Sequence, residues 1–131
     1  RSRAVEQAAQ AGCMARHLDL GRWGESCASA YLEQHGFVVL ERNWRHSSGE
    51  IDLIASFGAT LVFVEVKTRS SLACGHPFEA ITPSKCARLY RLALAWRLDH
   101  NYHGPYRIDA IAVTASTGGQ AVIEHLEAVY A

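Results

Sequence analysis

Residues 49–69, GEIDLIASFGATLVFVEVKTR, carry Glu50, Asp52, Glu65, Lys67 and Arg69 inside two runs of strand-forming residues. Side chains alternate along a strand, so residues two apart share a face. In the second run Leu61, Phe63, Glu65 and Lys67 lie on one side; Val62, Val64, Val66 and Thr68 make an apolar face suited to a core. In the first run Glu50, Asp52 and Ile54 share one face, and Ile51, Leu53 and Ala55 the other. A two-residue turn at Gly58-Ala59, glycine first as type II′ prefers, sets Phe57 against Thr60. The same register sets Ile54 against Phe63, Asp52 against Glu65 and Glu50 against Lys67. Two carboxylates directly across a strand pair stand about 5 Å apart at Cβ and repel. A hard divalent cation, magnesium or manganese, offsets that repulsion with the same oxygens as ligands. An ammonium beside them, Lys67, can orient an attacking water and stabilise charge developing on a phosphate. The competing reading is a Glu50–Lys67 cross-strand ion pair on a solvated hairpin face, and periodicity alone leaves both open.

Other residues could serve such a site. Lys85, near the start of a long helix, could meet a phosphate where helix amides favour anions. Arg69 and Arg45 flank the carboxylates and could contact a nucleic-acid backbone, although arginines also make ordinary surface pairs. Trp44 could stack on a base, but core packing is the better account of an aromatic there. Arg107 and Asp109 share a strand face and read as an internal salt bridge. The seven histidines form no cluster, and His100 and His103 fall near a helix end, where positive charge is favoured.

These residues need elements to hold them. Residues 20–36 have Trp23, Cys27, Ala30, Tyr31 and Leu32 at helical spacing, with Asp19 as a cap and Gly36 as the stop. FVVLER at 37–42 predicts a strand and NWRHSSG a polar connection. Thr82 as N-cap and Pro83 at the first position open a helix with Leu89, Leu92, Ala93 and Trp96 on its apolar face, ended by Gly104-Pro105. Residues 106–115 and 120–127 predict two more strands around the turn STGG. The order is helix, three strands, helix, two strands: an α/β fold with a central mixed sheet of about five strands flanked by helices. Residues 1–19 are alanine-rich and helix-prone and read as an N-terminal extension to a single domain over 20–131.

Composition narrows the setting. The chain has 131 residues, with thirteen basic and thirteen acidic side chains, so no bulk basic excess marks it for nucleic acid. A local basic face stays open. Cys13, Cys27, Cys74 and Cys86 are widely spaced, without a C-x-x-C pair, and suggest free thiols in a reducing, cytoplasmic setting. No run is apolar and long enough to span a membrane.

GEID, a turn and then FVEVKTR resembles the D…(D/E)-x-K core of restriction-endonuclease-like nucleases. GRWGESCASAYLEQHGFVVLERNWRHSSGEIDLIA, LVFVEVKTRS, PFEAITPSK and YRIDAIAV together resemble the small bacterial YraN-type proteins, which are similar to Holliday-junction resolvases. The likeness runs from about Leu20 to the C-terminus. It implies a restriction-endonuclease-like fold and a metal-dependent endonuclease acting on DNA, branched or single-stranded. Asp52 and Glu65 would bind magnesium or manganese and Lys67 would assist hydrolysis. Glu25, on the first helix, matches the glutamate that often completes the metal site in this class. Ile51 stands where the generic motif has proline, a backbone-shaping position rather than a ligand. Resolvase-like proteins often pair to meet two strands, which makes a homodimer the expected assembly. The alternative is a nucleic-acid-binding module of nuclease fold without turnover of its own.

Overall fold

A computed structural model describes residues 3–8, 19–71, 75–116 and 118–129. The elements are β1 (Arg3–Ala8), α1 (Leu20–Gln34), β2 (Val38–His46), β3 (Gly49–Phe57), β4 (Thr60–Arg69), a 3-10 turn (Pro77–Ala80), α2 (Pro83–Asp99), β5 (Tyr106–Ala115) and β6 (Ala121–Leu126). They build an α/β fold around one six-stranded sheet in the order β1-β6-β5-β4-β3-β2. All neighbours are antiparallel except β4 and β5, which run parallel with α2 as the crossover between them. A parallel pair needs such a long connection. This architecture is consistent with the nuclease-like fold expected from the sequence.

Both faces of the sheet are covered. Val62, Val64 and Val66 pack with Leu53, Ala55, Ile111, Val113 and Ile123 against Trp23, Cys27, Tyr31 and Leu32 of α1. Leu61 and Phe63 pack with Ile51, Ile54 and Ile108 against Leu89, Leu92, Ala93 and Trp96 of α2. The local signals behave as their chemistry requires. Thr82 Oγ1 accepts from the Lys85 amide at 3.3 Å, with Pro83 at the first helical position. Gly36, at φ 89°, closes α1: its amide reaches Glu33 O at 3.3 Å and that of Phe37 reaches Leu32 O at 3.0 Å, a Schellman closure. Gly58, at φ 59°, opens the β3–β4 turn, and the ladder pairs Phe57 with Thr60 and Ile54 with Phe63 as alternation predicts.

Several expectations need correction. The sheet has six strands rather than about five, because residues 3–8, read as helix-prone, pair along β6. Backbone pairing on a sheet edge outweighs the few tenths of a kcal/mol per residue that separate helix propensities. Residues 9–18, the rest of that extension, lie outside the described residues, as do Cys13 and Cys74. The polar segment NWRHSSG is not a loop throughout: β2 continues to His46 and pairs it with Gly49. Asp19 stands at the N-cap of α1, yet its side chain makes no capping hydrogen bond. α2 ends at Asp99, before Gly104-Pro105, with Asn101 at φ 52° just beyond. Among the described residues no helix is long and apolar enough to cross a membrane.

Candidate metal centre and its basic rim

The site forms where β3 parts from β4, while its pairing with β2 runs on to His46–Gly49. The β3–β4 register runs from Phe57–Thr60 to Leu53–Val64 and stops there, one step short of the expected Asp52–Glu65 pair. The β2–β3 register steps from Arg42–Leu53 to Trp44–Ile51, passing over Asn43 and Asp52. Asp52 therefore pairs with neither strand beside it. Its Oδ2 instead accepts the Val66 amide at 2.8 Å, so a carboxylate stands where a ladder carbonyl would. The alternation of β3 breaks at the same point: Ile51 packs with Ile54 on the α2 side, whereas Leu53 and Ala55 face α1. The expected common face of Ile51, Leu53 and Ala55 is thus corrected, and so is the cross-strand pairing of Glu50 with Lys67. The sheet opens like a fork, and the gap admits side chains from both of its faces.

Carboxylates collect in that gap. One oxygen each from Glu25, Glu50 and Asp52 lies within 4.8 Å of the others. Glu25 is the sixth residue of α1, and it reaches the fork because α1 packs closely on β4 at the Thr68 side chain. A Cβ added at Gly24 would stand 1.9 Å from Thr68 Oγ1, so only glycine permits this approach. Asn43, in the left-handed region at φ 52°, turns its amide toward the cluster. Its Nδ2 donates to Glu25 Oε1 at 3.0 Å and to Glu50 Oε2 at 2.7 Å. Asparagine tolerates that backbone better than most residues. Glu65 joins through Asp52, with which it shares a carboxyl–carboxylate hydrogen bond. Such a bond requires a proton between the two groups.

Electrostatics follow from this crowding. Burial, followed by the negative charge of Glu65, pushes the Asp52 carboxyl up to about 8; Glu25 adds to the rise and the Val66 amide opposes it. Three or four carboxylates in one partly buried gap repel unless protonated or neutralised. The oxygen-only donor set suits a hard divalent cation, which usually takes carboxylates and water. Glu25, Glu50 and Asp52 could hold it, with Glu65 adjacent. No metal is identified by the donors alone.

A basic rim surrounds the acid. Lys67, two residues beyond Glu65, is half-buried and stands beside Lys85 from the first turn of α2. The Lys67 side chain close beside it, followed by burial, holds the Lys85 ammonium below its ordinary value, while Glu65 opposes the shift. The long crossover has thus brought together two lysines eighteen residues apart in the chain. Arg45, exposed, stands 3.7 Å from Glu50 Oε1, a loose pair of small energetic weight. Arg69 is partly buried at the end of β4, and its Nε has no hydrogen-bond partner among the described residues. Trp44 packs partly against the α2 core and stacks on His46, with ring centroids 5.5 Å apart. Core packing and exposed stacking thus both apply to it.

Sequence reasoning placed Asp52, Glu65 and Lys67 in one region and left Glu50 outside as a neighbour. It missed Asn43 entirely, since a lone asparagine in a polar stretch signals only tolerance of a left-handed backbone.

A family profile described as "Uncharacterised protein family UPF0102" matches residues 24–113, from Gly24 at the α1–β4 contact to Val113 in β5. A UPF0102 protein of Arthrobacter sp. (strain FB24) is 53% identical over 111 residues, covering 84% of this chain and 94% of its own. One from Beutenbergia cavernae is 54% identical with the same coverage. Another from Leifsonia xyli subsp. xyli is 50% identical over 117 residues, covering 88% of this chain and 99% of its own. The matched span holds the metal-centre carboxylates, Asn43 and both lysines, and the chain belongs to the uncharacterised protein family UPF0102.

Proposed function

We propose that this protein is a metal-dependent endonuclease that hydrolyses phosphodiester bonds in DNA, branched or single-stranded, at the β3–β4 fork. The observation that carries the reading is the convergence of Glu25, Glu50 and Asp52 within 4.8 Å, beside Lys67 on the neighbouring strand. A bound magnesium or manganese ion would polarise a phosphate oxygen and lower the pKa of a water. The chain supplies the remainder. Asp52 and its glutamates offer the ligand oxygens, and Asn43 fixes two of them in place. Lys67 is placed to orient the water and to balance charge gathering on the phosphate. Lys85, Arg69 and Arg45 lie where a strand backbone would pass, and such cations fix register without reading sequence. A zero net charge does not oppose this arrangement, because a total says nothing of distribution and Lys67, Lys85, Arg69 and Arg45 are four of thirteen basic side chains.

The test is cleavage of linear, single-stranded and branched DNA with magnesium, with manganese and with chelator. The wild type is compared with Asp52→Ala and Lys67→Ala. Cleavage should need the metal and should fall at least about a hundredfold in each variant. Cleavage that survives both substitutions would place the chemistry elsewhere. A second reading, binding without turnover, rests on the same basic rim; it is favoured if branched DNA is retained and no substrate is cut.

A further inference from the structure

Beyond the fork, the same face of the sheet continues into a cavity that the cleavage chemistry does not use. It has a volume of about 550 Å³ and is lined by Ser70, Ser71, Thr114, Ser116, Val122 and Glu124. This is within the usual range for small-molecule sites. Its position relative to the fork follows from register. Lys67 pairs with Ala112, and Ala112 with Glu124; one step further, Arg69 pairs with Thr114, and Thr114 with Val122. Residues paired across neighbouring strands present their side chains to the same face. Lys67, Ala112 and Glu124 therefore form one row and Arg69, Thr114 and Val122 the next. The small Ala112 between Lys67 and Glu124 leaves the surface low there. Two strand spacings put Glu124 about 10 Å from Lys67. That is a few nucleotides at the ~3.4 Å rise of a stacked strand.

We infer that this cavity receives an unstacked nucleobase of the strand held at the fork, and that Glu124 reads its amino group. This inference rests on the nucleic-acid reading above and extends it to a substrate class. The lining argues for a base rather than a phosphate. Among the described residues no lysine or arginine lines the cavity, and a carboxylate at its wall would repel an anion. Ser70 and Thr114 offer hydroxyls that can both donate and accept, and Ser116, whose hydroxyl donates to Gln120 O at 3.0 Å, keeps lone pairs to accept with, as a base edge requires. Glu124 is hydrogen-bonded to His76 Nε2, which anchors the carboxylate in the wall. A carboxylate has further lone pairs for an exocyclic amine, as in the pairing of Glu with cytosine N4. A base can enter such a cavity only when it is out of its stack, so the favoured substrate presents unpaired nucleotides.

The experiment measures binding of end-labelled oligo(dA), oligo(dC), oligo(dT) and oligo(rA) by fluorescence anisotropy, in chelator so that turnover does not enter. The wild type should hold oligo(dA) and oligo(dC) about tenfold tighter than oligo(dT), the discrimination of one good base contact. Glu124→Ala should erase that preference while retaining oligo(dT). Val122→Trp fills the cavity, and Ser70→Trp sets an indole in its lining from an exposed position; each should weaken oligo(dA) binding about tenfold. Comparable binding of oligo(rA) and oligo(dA) would show that the base, not the sugar, is recognised. Wild-type affinity in both tryptophan variants with native melting curves overturns the cavity assignment. So does equal affinity for all bases, or no binding to any. These results leave the cleavage test untouched, because that test reads turnover at Asp52 and Lys67.

Discussion

The Asp52 carboxyl carries the largest electrostatic burden among the groups at the fork, and its titration can be followed without any substrate. In the unfolded chain it releases its proton near 3.8; in the fold it does so at about 8, because burial and Glu65 disfavour the charged form. Between those values the folded state holds one more proton than the unfolded state. The stability from this group is thus full below 3.8 and is lost as pH rises toward 8. Asp52→Asn keeps the shape and removes the ionisation. In chelator, the melting temperature of this variant should draw increasingly ahead of wild type from pH 5 to pH 8, and a constant difference would show that the carboxyl is not strained. Magnesium at pH 8 should reverse the order, since a ligand of the native state stabilises only the chain that binds it. Asn43 sets the geometry of the same cluster through its bonds to Glu25 and Glu50. Asn43→Gly accepts the φ of 52° and loses only the amide. Calorimetric titration with manganese should show affinity reduced about 10–100-fold, the usual cost of removing a partner that orients ligands.

At the scale of elements, the fork depends on how closely α1 lies against β4. Gly24→Ala would force the two apart, because the new methyl meets Thr68 Oγ1, Cγ2 and Cβ at 1.9, 2.7 and 2.8 Å. Overpacking of this kind costs about 1–3 kcal/mol. Denaturant unfolding should show that loss, and metal affinity should fall with it as Glu25 is carried away from Asp52. Thr68→Ala in the same chain should recover part of both, and recovery of stability alone would separate the packing from the ligand geometry. The hairpin register was legible beforehand because alternation and the Gly58 turn allow few alternatives. The fork was not, because it arises where Asp52 takes the Val66 amide and ends the ladder, a substitution that leaves the pattern of residue types unchanged. For the same reason Glu50 read as a neighbour rather than a member of the cluster. β1 was illegible for another reason: RAVEQA favours helix locally, and only the open edge of β6 makes it a strand.

In the whole molecule, apolar layers cover both faces of one sheet, and a separate polar network on the α1 face joins β5, β6 and α1. Asp109, fully buried in β5, accepts from Arg107 Nε at 2.9 Å and from the Ala128 amide at 3.0 Å, and pairs with His125 Nε2 at 2.7 Å. His125 Nδ1 continues to the Tyr31 hydroxyl at 3.0 Å, which ties β5 and β6 to α1. The Arg107–Asp109 pair was readable from two residues on one strand face; His125 and Tyr31, sixteen and seventy-eight positions from Asp109, could be placed beside it only by the sheet order and the α1 packing. Burial alone would raise the Asp109 carboxyl, but hydrogen bonds to His125 and Arg107 outweigh it and hold the group below its ordinary value. The sign is therefore opposite to that at Asp52: this stabilisation is present above 3.8 and is lost only as pH falls below it. Asp109→Ala leaves a partly buried guanidinium and a buried imidazole without their acceptor, and breaking such a pair costs about 3–5 kcal/mol. Thermal unfolding near neutral pH should show that loss, and the gap between variant and wild type should narrow in acid. Because the hydrogen bonds that join Arg107, Asp109, His125, Tyr31 and Ala128 include no fork carboxylate, manganese affinity of the folded variant should stay at the wild-type value; a parallel fall would mean that the network and the fork act as one unit.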